Sequence, residues 1–248
     1  MIKRDLLKQV EDELNDTKVK DVRIGFSYTA VWLQDLAAGV SFSFRRQVGH
    51  YCELKSQAGE LHKMSALDLA ELALKPRTID SVVGMAAINA ALVEKVSKSR
   101  CIKGDFLDHV GIRSGEKWGM VGNFCPLVDR LGDQVELHVF ERELSEDYLY
   151  PDWAAPQYLP EMDVVVLSGT TVTNNTFERL AELSRKAREL VVLGPSTPLA
   201  VEIMADHGVT LLAGIAVDEP EKIMNITGQG GGTRQLLTAA HKVNLAIN

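Results

Sequence analysis

Three apolar runs in the second half of the chain end in small residues that carry hydroxyls, amides or free backbone. One run exits into Gly122, Asn123 and Phe124, another into Ser168, Gly169, Thr170 and Thr171, and a third into Gly194, Pro195, Ser196 and Thr197. If these runs are parallel strands, the exits are where ligands bind, beyond the carboxyl ends of the sheet at the point where strand order reverses. Glycine lets a ligand approach the backbone closely, and free N–H groups at a following helix start favour phosphate or carboxylate. Gly, Ser and Thr are also good turn and cap residues, so one such loop says little. Three on one edge favour a ligand site.

A fourth run ends at Glu141, about 20 residues after Gly122, where dinucleotide-binding folds place a carboxylate on a ribose hydroxyl. The first loop reads GNFCP and lacks the G-x-G-x-x-G spacing that brings backbone against a pyrophosphate, which argues against ordinary NAD or NADP. A nucleoside-bearing cofactor without close pyrophosphate contact, such as S-adenosylmethionine, fits the loop better. A solvated strand end paired with Arg142 is the plainer reading of Glu141. The glycine-rich GQGGGT, residues 228–233, reads as a flexible stop between two helices, with Thr233 capping a terminal helix.

Metal and nucleophile motifs are sparse. His50 and Cys52 form an H-x-C pair without a second pair at ligand spacing. The other histidines, His62, His109, His138, His207 and His241, are scattered and read mostly as surface or helix-end residues. There is no H-E-x-x-H, G-x-S-x-G or Walker loop, so no metal ligand or catalytic group is assigned and the cofactor stays unknown.

The elements that position these residues fall into two groups. Residues 2–16 put Ile2, Leu6, Leu7, Val10 and Leu14 on one side of a helical period. VRIGFSYTAVWL and AGVSFSF alternate as a strand hairpin, and helices follow over about 65–75 and 79–97, with Ser65 and Thr78 as caps and Pro76 between them. Strands followed by helices make a small α+β domain. From Lys117 the grammar changes to WGMVG, VELHVFE, DVVVLSG, LVVLGPS and TLLAGI, the short Val- and Leu-rich runs of a parallel sheet covered on both faces. Helix starts are expected at Asn175 with Glu178, at Thr197 with Pro198, and at Asp218 with Glu221, with a stop at Gly208. The fold class is therefore α/β, with a boundary within 98–116 and domains of 1–105 and 106–248. The five strands are expected in the order 2-1-3-4-5.

A net charge of -7 argues against nucleic acid as the main partner. Charges interrupt the N-terminal helix and no apolar run approaches a membrane span, so a cytoplasmic protein is expected, with three reduced cysteines and a homodimer as the default assembly.

GMAAINAAL, WGMVGNFCPLV, VFERE, DVVVLSGTTVTNNTFERL, VVLGPSTPL, LLAGIAVDEPEKIM and GQGGGT, in this order, resemble the putative heavy-metal chelation domain family. The likeness runs from about residue 20 onward. It implies an enolase N-terminal-like domain followed by a Rossmann-like domain, with one cleft lined by both. The roles it implies are metal chelation, or condensation and hydrolysis of pterin, flavin or siderophore-like molecules. It points to Gly122, Asn123, Glu141, Gly169, Thr170, Asn174, Gly194, Pro195 and Ser196, joined from the first domain by Tyr28 at a strand end and by Asn89. Asn89 interrupts an apolar helix, where a buried amide needs a partner, and a core amide linking the domains is its bland reading. The expected partner is a small polar or anionic metabolite, or a metal chelate, with its hydroxyl or amine groups toward Glu141 and its anionic end on backbone N–H groups near Ser196 and Thr197. An S-adenosylmethionine-dependent methyltransferase-like protein and a metal-binding protein without turnover are the alternatives.

Overall fold

Two sheets organise the chain, described here for residues 1–48, 55, 57–96 and 100–247 of a computed structural model. The small sheet is antiparallel: β1 (Val19–Ile24), β2 (Tyr28–Leu33) and β3 (Ala38–Phe42), in that order. The segment expected as the first arm of a hairpin is thus two strands. It folds at Gly25, whose N–H donates to the Tyr28 carbonyl at 3.0 Å. A Cβ on Gly25 would lie 2.1 Å from the Thr227 carbonyl oxygen, so only glycine lets this turn press on the helix Pro220–Gly228.

The large sheet contains β4 (Lys117–Val121), β5 (Glu136–Glu141), β6 (Leu149–Pro151), β7 (Val164–Ser168), β8 (Glu189–Leu193), β9 (Leu211–Val217) and β10 (Ala240–Ala246). Its order is β10-β9-β8-β7-β4-β5-β6. The five strands read from sequence are β4, β5, β7, β8 and β9, and they stand in the expected 2-1-3-4-5 order, with β4 beside β7. Two edge strands were not anticipated. β6 extends the sheet beyond β5 in parallel, and β10 pairs antiparallel with β9. β10 replaces the expected terminal helix: only Thr233–Leu236 is helical, and the Asn244 carbonyl and amide then hold Ile102 N and the Gly104 carbonyl.

Alternation along the buried strands gives the sheet two apolar faces. Val164 and Val166 join Trp118, Met120 and Val191 beneath Phe106, Leu127 and Leu131. Val165 and Leu167 belong to a second cluster that continues through Leu199 to Ile88, Val31, Leu6 and Ile2. The first half of the chain therefore shares one apolar core with a face of the large sheet. At its centre is the helix Thr78–Glu94, buried at every position from Ile79 to Leu92.

Several helix ends differ from expectation because the intended caps have other partners. Ser65 does cap its helix, its hydroxyl accepting from Asp68 N at 3.0 Å. Thr78 is already helical, with Arg77 before it, and the helix stops at Glu94 rather than 97. The N-terminal helix breaks at Val10 into Ile2–Gln9 and Glu11–Asn15, yet Ile2, Leu6, Val10 and Leu14 are all buried. No box forms at Asn175, because Glu178 reaches across to Ile2 N at 3.2 Å and the next helix starts after Thr176. Asp218 is occupied by His241 at 2.8 Å, and Glu219 stands before the helix. Thr197 and Pro198 start no helix, since the next one runs Val201–Ala205. Gly208, at φ +79°, follows that helix as expected.

A candidate binding cleft at the strand exits

The exits of β7 and β8 are closed by packing. Ser168, Thr171, Ser196 and Thr197 are buried, and a Cβ on Gly169 would sit 2.5 Å from Thr197 N and 2.7 Å from the Ser196 carbonyl carbon. The hydroxyls turn inward: Thr171 Oγ1 donates to the Ser168 carbonyl at 2.7 Å, and Thr170 Oγ1 to Ser168 Oγ at 2.8 Å. Ser196 Oγ accepts the N–H of Phe42, at the end of β3, at 2.9 Å. Asn89 Nδ2 donates to the Val40 carbonyl at 2.9 Å and to the Ser196 carbonyl at 3.4 Å. Asn89 thus reaches a strand-exit loop and ties the two halves together. The Thr197 N–H already serves the Gly194 carbonyl at 3.0 Å, and no helix begins there, so the anion cradle expected at this point does not form. Asn174 stays local, its Oδ1 accepting from the Thr176 N–H and hydroxyl.

The exits of β4 and β5 are open. Gly122, Asn123, Phe124 and Glu141 are half-buried there, as are Gly194 and Pro195, the first residues past β8, before that exit closes at Ser196. Gly122 and Gly194 have φ of +103° and +112°, a region that L side chains rarely adopt, and the Phe124 ring covers both. The Glu141 carboxylate accepts from Asn123 N at 3.0 Å and from Arg142 N at 2.7 Å. A carboxylate has about four lone-pair sites, so two remain for a ligand. Asn123 Oδ1 accepts from the Tyr148 hydroxyl at 3.3 Å, and the Cys125 thiol is exposed beside it in sequence. The guanidinium of Arg142 turns away to Asp152 at 3.1 Å.

Sequence reading missed the segment that crosses this edge. From Phe42 on Ser196, the chain runs through Phe44 and Arg45 to Arg46, which pairs with Glu143 just past β5. Arg45 lies over the Phe26 ring at 4.4 Å. The available signal was a pair of adjacent arginines closing a strand in an acidic chain. Tyr28 points elsewhere: its hydroxyl meets Thr233 Oγ1 at 2.8 Å, its ring stands edge-on to Phe42, and burial raises its pKa. The GQGGGT turn therefore packs on the small sheet.

Lys3 was also missed. Its buried ammonium donates to Ser81 Oγ and to the Thr173 carbonyl, both at 2.6 Å, and burial pushes its pKa down to about 8. His138, expected at the surface, is instead buried between Tyr150 and Tyr158.

Among the described residues no group of three or more His, Cys, Asp or Glu side chains could hold a metal ion. His50 and Cys52 lie outside the described residues. Both oxygens of Glu141 already face N–H donors, an environment for a carboxylate accepting hydrogen bonds rather than for a metal cage, so the described residues do not fit a protein-held metal. No described helix is long and apolar enough to cross a membrane.

Family models described as putative heavy-metal chelation match residues 7–92 and 105–246. An uncharacterized protein of Methanocaldococcus jannaschii is 25% identical over 231 residues, covering 90% of this chain and 88% of that protein. A crystal structure from Pyrococcus horikoshii, of a protein with unknown function in the family matched at 105–246, superimposes with a TM-score of 0.89 at 24% identity, covering both chains fully. A second, from Desulfitobacterium hafniense, gives 0.78 at 24% identity over 98% of each chain. These two likenesses establish the fold.

Proposed function

For a chain that belongs to the putative heavy-metal chelation family, we propose the binding of a small polar or anionic metabolite at the open exits of β4 and β5. The observation that carries this reading is the Glu141 carboxylate, oriented by two backbone N–H groups beside half-buried Gly122, Asn123 and Phe124, with Arg46 brought to Glu143 just past the same strand. The ligand is bipolar. Its hydroxyl or amine groups meet Glu141, and its anionic end meets the Arg46 guanidinium rather than the occupied amides at Thr197. Charge-assisted bonds of this kind contribute roughly 1.5 to 3 kcal/mol each when shielded from water. Because the described side chains make no metal cage, the metal donors of a chelate belong to the metabolite, as in catechols, hydroxamates, pterins or flavins. Phe124 offers such a ring an apolar wall. The reading includes a division near residue 105, a cytoplasmic location and a homodimer, for which exposed Leu144, Tyr148 and Trp153 around β6 offer a face.

Calorimetric titration with a dihydropterin, a flavin and a catecholate, each with and without nickel or iron, tests the proposal. One class should saturate, and Glu141→Gln and Arg46→Ala should each weaken it about tenfold or more. Unchanged affinity in both folded variants would place the site elsewhere. Saturation by S-adenosylmethionine instead would turn the reading toward a methyltransferase-like protein. A stoichiometric transition metal in untagged protein would favour metal binding without turnover.

A further inference from the structure

Where the two halves meet behind the β8 exit there is a cavity of about 10 Å³, lined among others by Ala38, Val40, Asn89, Thr197 and Leu199. Two of these residues carry buried polar atoms without a hydrogen-bond partner, Asn89 Oδ1 and Thr197 Oγ1. The orientation of the Asn89 amide is settled by its neighbours. Its Nδ2 faces the carbonyls of Val40 and Ser196, which can only accept, so the oxygen is the end left over. Thr197 has no such satisfaction either, because its backbone N–H is used on Gly194 while its hydroxyl has none. Two orphaned polar atoms from opposite halves of the molecule, at one cavity the size of a single solvent molecule, are the signature of a hydration site rather than of a dry void.

We infer that one buried water occupies this cavity and joins Asn89 on the helix Thr78–Glu94 to Thr197 on the β8 exit loop. The water donates one hydrogen to Asn89 Oδ1. With Thr197 Oγ1 it donates the other or accepts, since a hydroxyl does both. A bridging water of this kind is nearly as good enthalpically as a direct hydrogen bond. It completes a seam already made by Asn89 on Ser196 and by Phe42 on Ser196. An apolar ligand would leave both oxygens unsatisfied, and the volume excludes anything much larger than water. The site does not depend on what the open exits of β4 and β5 bind.

A crystal structure of the full chain at better than 1.8 Å should show one spherical density peak within hydrogen-bonding distance of both Asn89 Oδ1 and Thr197 Oγ1. In solution, the Ala38 and Leu199 methyl groups should give water cross-peaks of opposite sign in NOESY and ROESY spectra, as a long-lived internal water does. Thr197→Ser keeps the hydroxyl and should keep the cross-peaks, whereas Thr197→Val should lose them. An empty cavity, or a direct Asn89–Thr197 hydrogen bond that closes it, overturns the inference. So does persistence of the cross-peaks in folded Thr197→Val. If the valine variant does not fold, the wild-type density and the wild-type and serine spectra decide the matter.

Discussion

A glycine leaves β4, β7 and β8 alike, yet the exits of β7 and β8 are sealed at Gly169 and Ser196 while those of β4 and β5 are open. At Gly169 the missing Cβ admits the backbone of Ser196 and Thr197, and the hydroxyls of Ser196 and Thr171 serve the protein's own backbone. At Gly122 the missing Cβ permits a positive φ, and the neighbouring Asn123, Phe124 and Glu141 stay half exposed. A glycine at a strand exit is thus no guide to a ligand until its neighbours are known. Close approach of a second chain segment uses the same vacancy as close approach of a metabolite.

The most forceful way to break this contrast is Gly169→Ala. A methyl at 2.5 Å from backbone nitrogen cannot be relieved by a side-chain rotation, so the loops must part, at a cost of about 3 kcal/mol or more. Urea unfolding should show the loss; a midpoint near wild type would mean that the sealed exits are looser than they look.

Lys3 sharpens the same side through pH, because its ammonium holds the Thr173 carbonyl just beyond β7. Its pKa is about 8 in the folded protein against an ordinary 10.5, so between these values the unfolded chain binds a proton that the folded chain does not. Stability should therefore rise with pH through that window, by on the order of 2 to 3 kcal/mol in total. Tyr28, its pKa raised by burial, opposes the trend near pH 10. The comparison is best made as wild type minus Lys3→Met, from pH 7 to 9.5. A flat difference would show that Lys3 is solvated or paired.

Ser196→Ala and Glu141→Gln should separate the two regions by kind of effect. The alanine leaves the Phe42 N–H without its acceptor, a loss of about 1 to 3 kcal/mol of stability. Glutamine at the half-exposed position 141 should cost less stability, about 1 kcal/mol, while carrying the loss of ligand affinity. If thermal denaturation ranks them the other way, the sealed and open assignments are exchanged. The smallest change is expected for Tyr148→Phe, which removes an exposed 3.3 Å bond to Asn123 and should move stability by no more than about 0.5 kcal/mol.

Much of the frame was legible along the chain. Val164–Ser168 and its companions announce buried parallel strands by composition, and the expected order 2-1-3-4-5 is the one the sheet adopts. Ser65 caps its helix because its partner, Asp68, is only three residues away. The caps expected at Asn175 and Asp218 failed for the opposite reason. Their acids were taken by Ile2 and His241, partners that no local window contains.

The sequence by itself determined the periodicities, and with them the two faces of the large sheet, the buried side of the N-terminal helices and the set of small residues at the strand exits. Those properties depend on neighbours within a few positions, so a linear reading captures them. Only the tertiary structure decided which exits are sealed, that Arg46 meets Glu143, and that Asn89 and Thr197 come to one cavity. The last two join residues about 100 positions apart, and the sealing joins Ser196 to Phe42 on a different sheet. Hydroxyls, amides and charges take whichever partner packing brings within about 3 Å, and the residue type does not reveal which.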